Sequence, residues 1–339
     1  MANAVSGQVL ALAVGSAGAR IVSALRKETT LVDRFAYITC DEADLEATEA
    51  GEKILIECPI DQKLTPPIVR GLSISYRQQM RELVDGAKIV FIVAGLGRAT
   101  GSGLAPVVAE LAKEQGADTV AVAVMPFAFE EKLRFYSGLA LRRLRRVSRG
   151  VVVVDNDALL NTTADATLRD VYELANGEAV KALASLLAKQ SEQSIPVGLN
   201  KVLGTVFQDG YSFLSSASSG SVDKTEDALS RAIIGISRRA ETKDAQHAIV
   251  VLTGDSTLTA GETATAVKRL GSMFGSQAID VEYCVSYRGG SRVQVSVLAS
   301  GFKATRYDEF DPLASLPTVI DDEIEYSLPS GLEQLKVCD

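Results

Sequence analysis

A chain of 339 residues, 47% hydrophobic, 6% aromatic and without tryptophan, carries enough apolar material for one large or two ordinary globular domains, which excludes a disordered chain. Its formal net charge of −8 leaves no overall basic footprint and argues against a nucleic-acid partner. The four cysteines, Cys40, Cys58, Cys284 and Cys338, lie far apart in sequence without C-x-x-C spacing, and His247 is the one histidine. That pattern argues against a disulfide framework or a zinc site.

The chain opens with MANAVSGQVLALAVGSAG, whose apolar stretch of about seven residues follows no positive charge, so it is too short to cross a bilayer and unlike a signal peptide. The expectation is a cytoplasmic protein without a membrane span. Short β-rich runs then recur at 8–14, 35–39, 53–57, 88–94, 119–125 and 150–155. Continuous apolar runs of this length fit strands buried on both faces, as in a parallel sheet. Between them lie helical periods, clearest in Leu104, Val107, Val108, Leu111 and Ala112, with Gly116 as a stop. This alternation predicts a doubly wound, Rossmann-like α/β domain over residues 1–164.

From Asp165 to about Lys189 apolar residues repeat at helical spacing, giving a central helix of roughly seven turns. The polar, proline-bearing SEQSIPVGLNK and the Gly/Ser-rich DGYSFLSSASSGSVDK (209–224) follow, and the chain changes character. Beyond them HAIVVLTG (247–254), a helical stretch (261–274), IDVEYCVSY (279–287) and RVQVSVLASGF (292–302) predict a smaller α+β domain. The Gly-Gly pair at 289–290 between the last two runs reads as the turn of a hairpin. The expected organisation is therefore 1–164, a central helix over 165–192, a C-terminal domain over 193–310, and an acidic, proline-punctuated tail over 311–339 expected to be mobile or partner-dependent.

Two glycine turns follow strands: GSAG (15–18) and GLGRATGSG (95–103). In open α/β sheets, ligands sit at the carboxyl ends of strands, where helix N-termini present N–H groups to anions. Glycine permits positive φ and lets backbone approach an anion without a Cβ in the way. The second turn is neither G-x-x-x-x-G-K-[ST] nor a clean G-x-G-x-x-G. Spacing alone leaves open a phosphate cradle and a purely structural turn.

The stretch VFIVAGLGRATGSGLAPVVAELAKEQGADTVAVAVMPFAFEEKLR (90–134) closely resembles the tubulin/FtsZ family. The family's G-G-G-T-G-T-G signature falls on Gly97 to Gly103, and its P-F-x-F-E-G-x-x-R segment on Pro126 to Arg134. YITCDEADL (37–45), VVVVDNDALL (151–160), VVLTGDSTLTAGE (250–262) and SVLASGF (296–302) continue the resemblance in order. It implies the tubulin/FtsZ fold, GTP or GDP with Mg²⁺ on the first domain, and head-to-tail filaments in which the next subunit supplies an acidic catalytic loop. Carried over by position, phosphate contacts fall on Gly15, Ser16, Gly18, Gly97, Thr100, Gly101 and Ser102. Glu130 and Arg134 match ribose-side contacts, and Asn156 a base-side asparagine. A tail partner that anchors filaments to membranes is also implied, although the tail shows no specific adaptor motif.

Three departures qualify that inference. Arg98 and Ala99 replace signature glycines, and a Cβ at positive φ costs roughly 1–2 kcal/mol. Arg98 has three readings: bidentate pairing with phosphate, filling of the site, or a side chain in solvent. Tyr172 falls where the family reads guanine with aspartate, with Leu168 at the family's phenylalanine. A tyrosine stacks on a base but does not accept two guanine N–H groups as a carboxylate does. The catalytic loop falls on IPVGLNKVLGTVF (195–207), which has no acidic residue and offers Asn200 and Lys201 as the nearest polar groups. Without a positioned base, worth typically 10²–10⁴-fold, hydrolysis is expected to be very slow or absent.

The leading expectation is an FtsZ-like cytoskeletal or cell-division protein forming filaments with weakly or structurally held nucleotide. Alternatives are an active GTPase using Asn200 or Asp209, a non-polymerising module that regulates a partner, and, with the resemblance set aside, a dinucleotide oxidoreductase. The basic run RRLRRVSR (142–149) reads as a solvated helix face or an anionic-partner surface, and His247 as structural.

Overall fold

The computed structural model describes residues 8–46, 48, 51–58, 63–157, 167–187, 198–254, 258–274, 280–287 and 292–310. The tail, the 289–290 glycine pair, Cys338 and the 191–197 stretch lie outside the described residues.

The first half alternates as expected. β1 (Gln8–Val14) runs directly into α1 (Gly15–Glu28), followed by β2 (Arg34–Thr39), α2 (Glu42–Glu46), β3 (Glu52–Leu55), α3 (Pro66–Leu72) and α4 (Arg77–Val84). β4 (Ala87–Gly95), α5 (Ala99–Glu114), β5 (Asp118–Met125), α6 (Glu131–Val147) and β6 (Gly150–Asp155) complete it. The second half holds α7 (Leu168–Leu187), α8 (Leu199–Val206), β7 (Tyr211–Ser219), α9 (Lys224–Ser237), β8 (His247–Gly254), α10 (Ala260–Met273), β9 (Asp280–Tyr287) and β10 (Val293–Phe302). All described strands join one ten-stranded sheet in the order β3-β2-β1-β4-β5-β6-β7-β10-β8-β9.

Pairing is parallel from β3 to β7, which requires crossovers that cover both faces of the sheet. On β1, Leu10, Leu12 and Val14 belong to one buried cluster that also holds Val69 of α3, Leu104 of α5, Leu141 of α6 and Leu229 of α9. Val9, Ala11 and Ala13 belong to a second buried cluster, with Ile21 and Leu25 of α1, Leu183 of α7 and Val202 of α8. The period-2 alternation of a strand therefore buries every residue of the run, which is why its sequence is apolar throughout.

Two sequence expectations are corrected. The segment read as a Gly/Ser-rich change of character contains β7, which joins the halves by pairing parallel to β6 and antiparallel to β10. Its serines are satisfied within the sheet: Ser216 Oγ lies 3.1 Å from Ser296 Oγ and accepts from Gln294 Nε2 at 3.1 Å. The predicted hairpin does not form. β9 pairs parallel to β8, and β10 pairs antiparallel to β8 on its other side. The reason is the crossover through α10, which delivers β9 to one edge of β8 and leaves the other edge for β10.

The basic run ends α6 without becoming a free patch. Arg145 pairs with Asp209 at 3.4 Å and lies 4.7 Å from the Tyr211 ring centroid, and Arg149 pairs with Asp118 and stacks over Phe207. No described helix is long and apolar enough to cross a membrane.

Candidate functional site

The C-terminal ends of β1 and β4 place two helix N-termini side by side. α1 and α5 both start without a side-chain cap and without an acidic residue in the first turn. The first N–H groups of a helix have no partner within it, and the helix dipole favours an anion there. The two turns meet: a Cβ on Gly15 would lie 3.4 Å from Thr100 Cβ and 3.6 Å from the Gly101 nitrogen.

Glycine is required here for two distinct reasons. Gly15 and Gly97 have φ of 72° and 97°, whereas no described non-glycine residue has positive φ. The strain expected for Arg98 or Ala99 at positive φ therefore does not arise: Arg98 is extended (φ −91°, ψ 166°) and Ala99 begins α5. Gly18 and Gly101 serve packing instead, since a Cβ would lie 2.2 Å from Val93 O and 2.0 Å from Gly95 O. We predict that Gly101→Ala destabilises the protein by roughly 1–3 kcal/mol through overpacking. Gly177→Ala on α7, where a Cβ meets nothing within 4 Å, should stabilise it by roughly 0.5–1 kcal/mol. Denaturant midpoints of the two variants check both signs.

Some expected phosphate donors are already engaged. The Gly97 N–H donates to Ser102 Oγ at 2.7 Å and the Ser102 N–H to Arg98 O at 3.2 Å. The Ser16 hydroxyl donates to Asp44 of α2, whose carboxyl is raised by burial and by neighbouring Asp41. Cys40 and Cys58, distant in sequence, meet beside Thr100, and burial first, then Cys58, pushes the Cys40 thiol up to about 12. The anion-facing groups that remain are the first-turn backbone N–H groups of the two helices.

Of the residues expected around the ribose and base, three gather and two turn away. Glu130 precedes α6; its Oε2 accepts from the Phe127 N–H at 3.1 Å, and its Oε1 accepts from the Tyr172 hydroxyl on α7 at 2.5 Å. Arg98 Nη2 lies 3.5 Å from the same Oε1, with its side chain 71% exposed. Arg98 thus does not plug the turn: its side chain is largely in solvent, and an ion pair this exposed is worth only about 0–1 kcal/mol. Burial, then the bond to Glu130, raises Tyr172 to about 12, so it is a neutral donor at physiological pH. Phe127 stacks on Phe129 at 5.1 Å and meets Tyr172 edge-on at 5.0 Å. Leu168 begins α7.

Arg134 turns away from the glycine turns: Nη2 donates to Ala128 O and the guanidinium lies over Phe310 at 5.2 Å. Asn156 is buried, and its Oδ1 has no protein partner. Asn200 and Lys201 lie exposed on α8, whose first turn holds no acidic residue. α8 ends against the amino-terminal end of β6, where a Gly150 Cβ would lie 2.4 Å from Val206 Cγ1. That is the opposite end of the strand from Asn156.

No motif in the sequence marks the buried cluster around Asp155. Asp155 Oδ2 accepts from Arg239 Nε, from the Tyr307 hydroxyl and, at 3.2 Å, from Arg306 Nη2. Arg306 also reaches Asp157 at 2.8 Å, and Asp157 Oδ1 accepts from the Ala128 N–H at 2.8 Å. The cluster thereby fixes both the segment carrying Glu130 and the turn after β10.

The residues fit a ligand unevenly. Where phosphate is expected, two uncapped helix N-termini remain beside an arginine that moves at little cost, while the expected base position holds a tyrosine hydroxyl already donating to Glu130. Such a site defines a doubly wound α/β protein of nucleotide-binding type, extended by a mixed C-terminal sheet. The profile described as Tubulin/FtsZ family, GTPase domain, matches residues 8–164. The chain is 27% identical over 258 residues to cell division protein FtsZ 1 of Pyrococcus abyssi, covering 74% of this chain and 69% of that protein. It is 28% identical over 279 residues to cell division protein FtsZ 1 of Methanocaldococcus jannaschii, covering 80% and 76%. Its fold superposes on an empty FtsZ dimer of M. jannaschii with a TM-score of 0.76 at 24% identity over 87% of this chain and 88% of that one. It also superposes on CetZ2 from Haloferax volcanii in a GTPγS-bound protofilament, with a TM-score of 0.72 at 24% identity over 94% and 99%. Over residues 8–164 the chain thus matches the tubulin/FtsZ GTPase domain, and its fold as a whole is that of the FtsZ and CetZ structures. Proteins with this GTPase domain bind GTP or GDP, generally with Mg²⁺.

Proposed function

We propose that this protein assembles head to tail into filaments, holds guanine nucleotide weakly and mainly by its phosphates, and hydrolyses it very slowly or not at all. In this reading residues 1–164 carry the ligand, α7 within 165–192 connects the two parts, and 193–310 present α8 to the next subunit. The observation that carries it is the split of the site. Two helix N-termini favour an anion, whereas Tyr172 donates to Glu130 where a guanine-reading acceptor would be needed. α8 adds no carboxylate in its first turn, so no described residue there takes a proton from an attacking water. Mg²⁺, bound with the nucleotide, would supply charge neutralisation at the phosphates. Self-association is supported by CetZ2, whose structure is a protofilament.

The test combines chromatography of nucleotide released from freshly purified protein, calorimetric titration of GTP and GDP with Mg²⁺, sedimentation with and without GTP, and phosphate release against protein concentration. Sedimenting polymer, substoichiometric nucleotide and negligible phosphate release are expected. Release that rises with protein concentration would sink the slow-hydrolysis reading and point to Asn200 or Asp209 of a neighbouring subunit. A chain that never sediments would be a non-polymerising partner of some other filament.

A further inference from the structure

Three buried polar atoms without a protein partner belong to residues lining one cavity. They are Asn156 Oδ1 at the end of β6, Glu178 Oε2 on α7 and Arg239 Nη2 just after α9. The cavity measures about 30 Å³ and is lined by residues of β6, α7, β7 and α9, including Val154, Ala179 and Phe213. Each of the three side chains is held from another direction. Glu178 Oε1 accepts from Lys181 Nζ at 2.7 Å, Arg239 is tied to Asp155 and to Gly235 O, and Asn156 is only 6% exposed.

A buried polar atom left unpaired costs about as much as its lost hydration, and native proteins rarely gather several in one place. The chemistry of the three atoms selects the ligand. An amide oxygen and a carboxylate oxygen accept, and a guanidinium N–H donates. A metal cation would suit the two oxygens but would face the Arg239 charge, whereas an anion would face Glu178. An apolar molecule would leave all three unpaired. One water supplies the two donors that Asn156 Oδ1 and Glu178 Oε2 call for and the acceptor that Arg239 Nη2 calls for, and it needs only roughly 10–15 Å³ of such space. We propose that this cavity is a structural water site, a hydrogen-bond bridge that joins the end of β6, the central helix α7 and the end of α9. The bridge also holds the Asn156 carbonyl inward, away from the glycine turns. This inference stands independently of nucleotide binding.

The test counts long-lived internal waters by water-oxygen magnetic relaxation dispersion in the wild-type chain, in Glu178→Gln, which keeps an acceptor, and in Glu178→Met, which replaces it with apolar volume. The wild type and the glutamine variant should give the same count, and the methionine variant one fewer. An unchanged count in Glu178→Met overturns the proposal. Should that variant fail to fold, a high-resolution crystal structure of the wild type decides. Density within about 3.2 Å of at least two of the three atoms supports the site, whereas a cavity without density, or one holding an ion, overturns it.

Discussion

Replacing Asp155 with asparagine lowers folding stability by about 3–5 kcal/mol, because it leaves the buried Arg239 guanidinium without its counter-charge. Asp155 and Arg239 side chains are only 4% and 2% exposed, so bulk solvent does not replace the lost charge. The same carboxylate also accepts from Tyr307 and Arg306, and an amide in its place keeps one acceptor oxygen but brings no charge and adds an NH₂ facing these donors. Burial already lowers the Arg239 pKa to about 10, a sign that the ion is held at the expense of hydration and depends on its partner. A surface pair supplies the control. Arg149 and Asp118 are 56% and 42% exposed, so Asp118→Asn should change stability by no more than about 1 kcal/mol. Urea midpoints of both variants, at an unchanged denaturant slope, check the contrast; equal small effects would mean that the cluster is a by-product of packing. Tyr307 adds a pH signature. Burial raises its pKa, so its contribution is fully present below the ordinary tyrosine value near 10 and is lost as pH rises beyond it.

The cluster also marks the limit of what the sequence reveals. β1, β4, β5 and β6 were legible because burial on both faces turns a strand into a continuous apolar run, as in QVLALAV and KIVFIVA. β7 was not, because YSFLSSASS offers serines whose partners, Ser296 and Gln294, lie about eighty residues away on β10. The misplaced hairpin has the same origin. Local pattern finds the strands β9 and β10, but their order around β8 depends on a crossover that no short window contains. At the site, the turns that need positive φ at Gly15 and Gly97 could be read from glycine placement. The commitments of Arg134 to Ala128 and Phe310, and of Asn156 to the buried cavity, could not. They arise only when the segment after β5, the end of β6 and the turn after β10 converge, and the residues involved carry no shared motif.

Tyr172→Asp should tighten guanine-nucleotide binding by roughly 10–100-fold while leaving adenine nucleotides nearly unchanged. The added carboxylate can accept two N–H groups of guanine, and hydrogen bonds to a charged acceptor are worth about 1.5–3 kcal/mol, which converts to that range in Kd. Adenine presents no such pair of donors on one edge, so the gain is selective. Two local effects oppose it. Glu130 loses the Tyr172 hydroxyl and acquires a negative neighbour, but Arg98 already lies 3.5 Å from Glu130 Oε1 and offsets part of that repulsion. Tyr172→Phe separates the contributions, because it frees Glu130 Oε1 without supplying a new acceptor. Calorimetric titration of GTP, GDP and ATP into the wild type and both variants reads the outcome directly. A gain confined to guanine nucleotides in Tyr172→Asp assigns the weak base end to position 172. An equal gain in Tyr172→Phe would instead mean that the Tyr172–Glu130 bond closes the ribose end. No gain in either variant would move the obstacle to the glycine turn itself, where Arg98→Gly is the next substitution to make.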